Sequence, residues 1–279
     1  MQTVHTLAAL REQLAPYRHP AVVPTMGSLH QGHLALVEHA RTLGDVTVAT
    51  IFVNRLQFAP HEDFDSYPRT LDADLDKLRA AGCDIVFAPS EHELYPEPQQ
   101  FRVQTPSALA DILEGEFRPG FFGGVCTVVL KLLACTQARS AVFGKKDYQQ
   151  WRVVSQMVRQ FALPVDVVGI ETRRDADGLA LSSRNAYLSA AQRAQAPLLA
   201  RTLQALAAAL RAGETPLAAC EAQAMQTLRD AGWAPDYVSV RRQSDLLTPD
   251  ATQPVSSQQL VVLAAARLGS TRLIDNLEI

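Results

Sequence analysis

Hydrophobic residues in the first 170 positions alternate between short runs of strand length and longer stretches with helical spacing. Residues 46–53 (VTVATIFV) form a continuous β-branched run, which is typical of a strand buried on both faces. Residues 70–81 have helical spacing, with Thr70 at the N-cap, aspartates in the first turn and Gly82 at the end. Further strands are predicted at 21–25, 84–88, 141–143 and 165–170, and further helices at 33–43, 125–134 and 149–161 and after Thr105-Pro106. This order predicts a doubly wound, Rossmann-like parallel α/β sheet.

The pattern changes after Ile170. Ser189 and Gln192 form a capping box, which predicts a long Ala/Leu helix that ends near Gly213. A second helix is predicted after Thr215-Pro216. The strands predicted at 236–241, 260–266 and 272–274 have no helix between them. We therefore predict a Rossmann-like N-terminal domain at residues 1–172 and a smaller α+β C-terminal domain at residues 173–279.

Composition and charge narrow the class of protein. Of 279 residues, 47% are hydrophobic, enough to bury a core, which excludes a disordered chain. The net charge is −3, so no broad cationic surface is expected, which disfavours nucleic-acid binding. The four cysteines form no C-x-x-C pair, which argues against a zinc or dithiol site. No signal peptide or membrane span is recognisable, so we predict a cytoplasmic enzyme that does not bind membranes.

The strongest candidate site follows the first predicted strand of the sheet and opens a helix. N–H groups at a helix N-terminus bind anions, and the two glycines allow a phosphate to approach the backbone closely. The two imidazoles can donate hydrogen bonds to phosphate oxygens; a His-x-x-His pair can also bind a metal, but the strand–loop–helix context favours phosphate. The segment comprises Met26, Gly27, Ser28, Leu29, His30, Gln31, Gly32 and His33.

A second candidate lies at another strand-to-helix junction, at Gly144, Lys145, Lys146 and Asp147. A glycine permits close approach, a lysine suits phosphate and an aspartate can accept from a ribose hydroxyl. The alternative interpretation is a solvated charged cluster that caps a helix.

Two further segments carry suitable polar groups. Hydroxyls and a guanidinium can clamp a polyphosphate, although a Ser-rich turn is an equally good interpretation. This segment comprises Leu181, Ser182, Ser183 and Arg184.

Asn54 and Gln57 follow the strand at 46–53, where ligands of open α/β sheets bind; capping of the strand end is the alternative.

The H-x-G-H segment at 30–33 resembles the signature of the nucleotidyltransferase superfamily. Other matching segments are 67–70 (YPRT), 87–89 (FAP), 113–115 (LEG) and 272–276 (RLIDN). With them, the chain resembles the pantothenate synthetases (pantoate–β-alanine ligases) from about Val23 to Asn276. The resemblance implies ATP-dependent condensation of pantoate with β-alanine to pantothenate, on the route to coenzyme A. It implies a pantoyl-adenylate intermediate and release of pyrophosphate and AMP.

The resemblance also implies residue roles. His30 and His33 are expected on the phosphates, with His33 as proton donor, and Lys146 is expected to stabilise the charge of the transition state. The 26–33 loop, residues 144–147, the backbone near Arg173 and residues 181–184 are expected to bind ATP. Gln57 and Gln150 are expected to bind pantoate, with Gln57 also near the β-alanine site, and Asn54 is a further substrate-binding candidate. Mg²⁺, a homodimer and a lid-like C-terminal domain are implied too; the metal ligands are unassigned, with Asp72 and Asp74 as weak candidates.

The chain departs from the family pattern at four positions. Arg55 stands where many members have Pro, Phe121 replaces a frequent His, Gly123 a frequent polar residue, and Lys145 a frequent Glu. Two other functions use the same loop: a nucleotide-cofactor adenylyltransferase and an ATP-binding regulatory module without turnover. Neutral amides at Gln57 and Gln150 favour a small hydroxy acid over a phosphorylated acceptor. The presence of His30, His33 and Lys146 argues against loss of turnover.

Overall fold

The computed structural model of the chain describes residues 1–59, 64–65, 67–213 and 215–279. The chain divides into two compact units, and each is built from three segments. The first unit comprises Met1–Pro106, Arg118–Lys145 and Val153–Glu171, and the second comprises Ser107–Phe117, Lys146–Arg152 and Thr172–Ile279. The division into domains at residues 1–172 and 173–279 stays a prediction.

The first unit contains a six-stranded sheet in which every pair of neighbouring strands is parallel. Its strands are β1 (Gln2–Val4), β2 (Pro20–Thr25), β3 (Val46–Ile51), β4 (Ile85–Phe87), β5 (Ser140–Gly144) and β6 (Asp166–Ile170), in the spatial order β1-β4-β3-β2-β5-β6. The predicted doubly wound sheet is thus confirmed. β1 was not predicted, because only Val4 of its three residues is buried and its sequence shows no apolar run, unlike the fully buried β4.

Helices occur where the helical spacing predicts them, with different ends, and the short helices at Glu91–Leu94 and Glu114–Phe117 were not predicted. The helices are α1 (Leu7–Leu14), α2 (Gln31–Ala40), α3 (Leu71–Ala80), α4 (Glu91–Leu94), α5 (Ser107–Ala110), α6 (Glu114–Phe117), α7 (Phe121–Thr136), α8 (Tyr148–Gln160), α9 (Ala190–Gln195), α10 (Leu198–Ala212) and α11 (Leu217–Asp230). The core of the first unit lies where α2 and α3 cover β2 and β3, around Val23, Val37, Ala49 and Leu78.

The second unit contains an antiparallel sheet in the order β7-β8-β9. Its strands are β7 (Ala234–Arg242), β8 (Leu260–Leu268) and β9 (Thr271–Glu278), and they pack against α10 and α11 around Leu203, Leu228 and Val262. The predicted capping box is present, because the side chains of Ser189 and Gln192 each bond the other residue's backbone N–H. The single long helix is wrong: Pro197 separates α9 from α10, because a proline inside a helix removes an N–H donor.

The strand order of the first unit reverses between β2 and β5. Chain order runs outward from β2 through β3 to β4, and in the other direction from β5 to β6. Such a reversal opens a crevice at the carboxyl ends of the strands, where α/β sheets bind ligands. Among the described residues, no helix is long and apolar enough to cross a membrane.

Candidate active site

The loop from Met26 to His33 leaves the carboxyl end of β2, beside the strand-order reversal. Gly27 has φ +85° and Ser28 has φ +52°, so two successive residues adopt the left-handed conformation. A Cβ at Gly27 would lie 3.2 Å from Oδ2 of Asp74, so the position also has little room for a side chain. The two left-handed residues turn the chain sharply into α2.

The buried carboxylate of Asp74, on α3, holds this loop. Its Oδ2 accepts from the backbone N–H of Ser28 and its Oδ1 from that of Leu29, both at 2.8 Å. The hydroxyl of Thr70 donates to Oδ2 at 3.0 Å, and Lys77 Nζ donates to the carbonyl of Leu29 at 2.7 Å. Thr70 is the N-cap of α3, as predicted, but its hydroxyl bonds Asp74 and not a backbone N–H of the helix. Charged groups of α3 fix the loop through its backbone.

These contacts bear on the candidate magnesium ligands. Both carboxylate oxygens of Asp74 already accept hydrogen bonds, and Asp72 is exposed on α3. Across the described ranges, no group of three or more His, Cys, Asp or Glu side chains is placed to hold a metal ion. Asp72 and Asp74 therefore do not fit a protein-held magnesium site.

The two histidines lie at the N-terminus of α2, with ring centroids 4.1 Å apart. His30 is the N-cap, and its Nδ1 accepts from the backbone N–H of Gly32 at 3.1 Å. His33 Nδ1 accepts from the backbone N–H of His30 at 3.3 Å. Because Nδ1 accepts in both neutral rings, Nε2 carries the proton in both. The helix terminus thus supplies two Nε2–H donors, as phosphate binding requires.

Gln57 is brought next to this loop by a short 3₁₀ turn after β3, Arg55–Gln57. Its Nε2 donates to Sδ of Met26 at 3.0 Å, and its Oε1 accepts from Nδ2 of Asn54 at 3.0 Å. Asn54 is buried and also bonds the carbonyl of Gly124 and the hydroxyl of Tyr95. Burial raises the pKa of the Tyr95 hydroxyl, so it stays protonated and donates. Asn54 therefore holds Gln57 in place.

Gly124 and Arg118 contact the backbone of the 3₁₀ turn, and Phe121, a departure from the family pattern, contacts Arg118. Gly124 approaches the 3₁₀ turn so closely that a Cβ there would overlap the carbonyl of Leu56. Arg118 lies 3.7 Å from the ring centroid of Phe121 and donates to the carbonyl of Gln57 at 3.2 Å. Phe121 thus supports a cation that holds the same turn.

Two other departures from the family pattern, Arg55 and Lys145, form ion pairs. Arg55 Nε lies 3.1 Å from Glu91 Oε1 and stacks on Phe64. Lys145 follows Gly144 at the carboxyl end of β5, and its Nζ lies 2.5 Å from Oε1 of Glu171.

Lys146, Asp147 and Gln150 belong to the second unit, at the start of α8. Lys146 Nζ lies 3.3 Å from Oδ1 of Asp147 and is largely buried, with 18% of the side chain exposed. The buried Gln149 donates to the carbonyls of Leu109 and Ile112 at 2.8 and 2.7 Å. Its Oε1 accepts from the N–H of Glu114 at 3.0 Å. Gln149 thereby fixes the first turn of α8, although sequence reasoning gave it no role.

Residues 181–184 follow a short hairpin in the same unit. The carbonyl of Arg173 accepts from the N–H of Leu181 at 2.9 Å, so two of the predicted ATP-binding positions are adjacent. Ser182 caps the 3₁₀ helix Ser183–Tyr187 and accepts from the N–H of Arg184. A bidentate hydrogen bond to Asp275 raises the pKa of Arg174 and anchors the hairpin.

The predicted residues thus fall into two sets, one in each unit. The first unit brings together the Met26–His33 loop, Asn54 and Gln57, with Gly144 and Lys145 at the end of the neighbouring β5. The second unit holds Lys146, Asp147 and Gln150 on one segment and Arg173 with residues 181–184 on another. Asp74 and Arg118 were missed as supports of the loop and the turn, because their contacts are long-range.

Comparison with known proteins identifies the family to which the chain belongs. The model of the family described as "Pantoate-beta-alanine ligase" matches residues 2–278. Two crystal structures of the pantothenate synthetase of Thermus thermophilus share 44% identity with the chain at a TM-score of 0.92, over 99% of both chains. A pantoate-beta-alanine ligase from Francisella tularensis, complexed with beta-gamma ATP and beta-alanine, shares 29% identity at a TM-score of 0.77 over 99% of this chain and 97% of that one. The chain therefore belongs to the pantoate–beta-alanine ligase family and is an enzyme that joins pantoate to β-alanine.

Proposed function

We propose that the two sets of residues described above bind ATP and use it to join pantoate to β-alanine. In the first step, a pantoate carboxylate oxygen attacks the α-phosphorus of ATP. The bond to the bridging oxygen of the β-phosphate breaks, and pyrophosphate leaves. In the second step, the amine of β-alanine attacks the acyl carbon, the bond from that carbon to the phosphate oxygen of AMP breaks, and the proton that the nitrogen loses passes to solvent. Activation is needed because a carboxylate has no good leaving group.

One observation carries the assignment of the phosphate site: the paired histidines at the N-terminus of α2. Both rings accept backbone N–H groups at Nδ1, which directs the proton to Nε2. His30 and His33 therefore donate to the phosphates, and their hydrogen bonds strengthen as charge develops in the transition state. His33, which the resemblance implies is the proton donor, supplies its Nε2–H. The rest of the 26–33 loop, with Gly144 and Lys145, completes the ATP contacts of the first unit.

Gln57 binds pantoate in this proposal. Its amide oxygen bonds Asn54 and its amide nitrogen bonds Met26, so the side chain is pre-organised. Asn54 is kept as a substrate-binding candidate, and its four hydrogen-bonded contacts within the chain support a role in orienting Gln57.

The second unit supplies cationic and hydroxyl groups. Lys146 stabilises the negative charge that develops on the phosphates, and Asp147 accepts from the ribose. Gln150 binds pantoate, the backbone near Arg173 contacts the adenine, and residues 181–184 bind the triphosphate through two hydroxyls and a guanidinium. We also propose that residues 1–172 act as the ATP- and pantoate-binding domain and residues 173–279 as a smaller lid domain.

We also propose that the enzyme uses Mg²⁺, forms a homodimer and lies in the cytoplasm. Mg²⁺ accompanies the ATP phosphates, since Asp72 and Asp74 do not fit a protein-held site. The four free, buried cysteines suit a reducing cytoplasm. The chain acts as a homodimer, which light scattering of the purified protein tests directly.

The decisive experiment is pantoate-dependent exchange of labelled pyrophosphate into ATP without β-alanine. Exchange is expected, because the first step is complete and reversible before the amine arrives. An intact protein that binds ATP but shows no exchange would refute the adenylate step.

His33→Ala and Lys146→Ala test the residue roles. Each is expected to slow exchange by about 100-fold or more, because each removes a donor to the transition state. His39→Ala is the matched control, since His39 lies in the last turn of the same helix as His33. Near-normal single-turnover rates in His33→Ala or Lys146→Ala would refute that residue's role.

A further inference from the structure

Two consecutive buried residues of β9, Asp275 and Asn276, have no part in the chemistry above. They are only 4% and 6% exposed, although both are polar. Burying such groups is costly unless every polar atom finds a partner. The partners of these two residues lie in the turn that carries Lys146 and in the hairpin that precedes residue 181.

Asn276 holds the segment that carries Lys146. Its Nδ2 donates to the main-chain carbonyl of Lys146 at 2.8 Å. Glu278 lies two positions further along β9 and therefore on the same face of the strand. Its Oε1 accepts from the hydroxyl of Tyr148 at 2.9 Å. Two side chains on one face of β9 therefore hydrogen-bond the residues on either side of Asp147, namely Lys146 and Tyr148.

Asp275 holds the hairpin that leads into residues 181–184. Its two carboxylate oxygens accept from the two Nη atoms of Arg174 at 2.7 and 2.8 Å. Arg174 also donates to the carbonyls of Gly178 and Asn276, at 3.0 and 3.1 Å. Because Arg174 pairs with Ala180 across the hairpin, fixing its side chain fixes the base from which residue 181 starts.

The two anchors are linked by a single peptide unit. That unit is planar and stiff, so the two side chains cannot shift independently. The N–H of Asn276 also donates to Oδ1 of Asp275 at 2.8 Å, which locks the carboxylate that receives Arg174. Any displacement of one anchor is therefore transmitted to the other.

We propose that Asp275 and Asn276 are positioning residues that set the spacing between Lys146 and the 181–184 segment. The inference rests on the proposed function, in which both segments bind ATP. Asn276 fixes the backbone from which the Lys146 side chain starts, so its loss affects the chemical step. Asp275 fixes a segment that binds the triphosphate, so its loss affects ATP binding.

The experiment measures pantoate-dependent pyrophosphate exchange with ATP varied. Asn276→Ala is expected to lower kcat by about 10- to 100-fold, the scale of a misplaced catalytic group, with little change in the KM for ATP. Asp275→Asn is expected to raise the KM for ATP, with the smaller change in kcat. Gln243→Ala is the matched control, because it removes a side-chain amide that donates to the carbonyl of Leu260 in the same sheet.

A double mutant separates positioning from a general structural effect. If Asn276 acts through Lys146, Asn276→Ala combined with Lys146→Ala should exchange within about 2-fold of Lys146→Ala alone, because coupled residues are not additive. Multiplied losses would overturn the proposal. If Asn276→Ala fails to fold, Asn276→Asp decides: it keeps the size and places an acceptor against the Lys146 carbonyl, so kcat should again fall.

The outcomes distinguish this inference from the proposed function. A wild-type protein without exchange refutes the adenylate mechanism itself. A wild-type protein that exchanges, with Asn276 and Asp275 variants that match Gln243→Ala in kcat and KM, refutes only the positioning role.

Discussion

The buried carboxylate of Asp74 accepts a 2.8 Å hydrogen bond from the backbone N–H of Ser28, 46 positions earlier in the chain. Ser28 has φ +52°, a conformation that costs free energy for a residue with a side chain. The carboxylate compensates for this cost by satisfying the N–H groups of Ser28 and Leu29 together. The shape of the candidate phosphate loop therefore depends on a residue of α3.

Asp74→Asn should loosen this loop, because the amide presents a donor to one of the two N–H groups. We expect unfolding in urea to require about 1–3 kcal/mol less free energy, the cost of an unsatisfied buried group, and the KM for ATP to rise. Asp76→Asn is the control, since Asp76 is on the same helix but exposed and paired with Arg79. Equal behaviour of the two variants would show that Asp74 does not hold the loop.

Gly124→Ala should displace the turn that carries Gln57. The added Cβ would overlap the carbonyl of Leu56 and lie 2.9 Å from the nitrogen of Gln57, and both are backbone atoms that cannot rotate away. We expect a loss of about 1–3 kcal/mol in stability and a higher KM for pantoate. The neighbouring Gly123→Ala serves as control, because its Cβ would meet only the carbonyl of Val103, at 3.4 Å. A Gly124 variant with an unchanged KM for pantoate would contradict the link to Gln57.

Arg272→Lys should destabilise the second unit. Arg272 makes a bidentate bond to Glu114 at 2.7 and 2.8 Å and a third to Asp236 at 2.6 Å, and these bonds raise its pKa despite burial. The single ammonium of a lysine cannot reproduce the forked geometry of the guanidinium, so the carboxylates of Glu114 and Asp236 are left poorly paired. We expect a loss of about 3 kcal/mol or more in urea unfolding. Arg267→Lys, on β8 directly opposite Arg272 in register and exposed, should change little.

The hairpin before residue 181 should lose support in acid. The hydrogen bond from Arg193 lowers the pKa of Asp177 below the ordinary value of 3.8. A carboxyl whose pKa is lower in the folded state stabilises the fold above the unfolded pKa, and this contribution disappears as the pH falls through the folded pKa. Asp177→Asn should therefore lower the Tm at neutral pH; the difference from wild type should shrink as the pH falls below 3.8 and vanish only below the lowered folded pKa. A difference in Tm that does not depend on pH would exclude the ion pair as its cause.

Patterns that are local in sequence predicted most of the fold. Continuous apolar runs gave β2 and β3, and the capping box at Ser189 gave the start of a helix. The predicted length was wrong because Pro197, which has no N–H to donate, interrupts the helix. The candidate site could be predicted wherever its chemistry lies within one short segment, as at 30–33. The supports could not, since Asp74, Arg118 and Asn276 act through partners 46, 61 and 130 positions away.

The second unit takes Glu114 from one segment, Gln149 from another and Arg272 from a third. A single cut near residue 172 would therefore not yield a self-sufficient C-terminal fragment, because Arg272 would lose its bidentate carboxylate and Asn276 its carbonyl partner. The same holds for recombination between relatives: a crossover at that point joins a Glu114 and a Lys146 from one parent to an Arg272 and an Asn276 from the other. These residues can be exchanged safely only as one inherited set, so residues 173–279 are not a portable module.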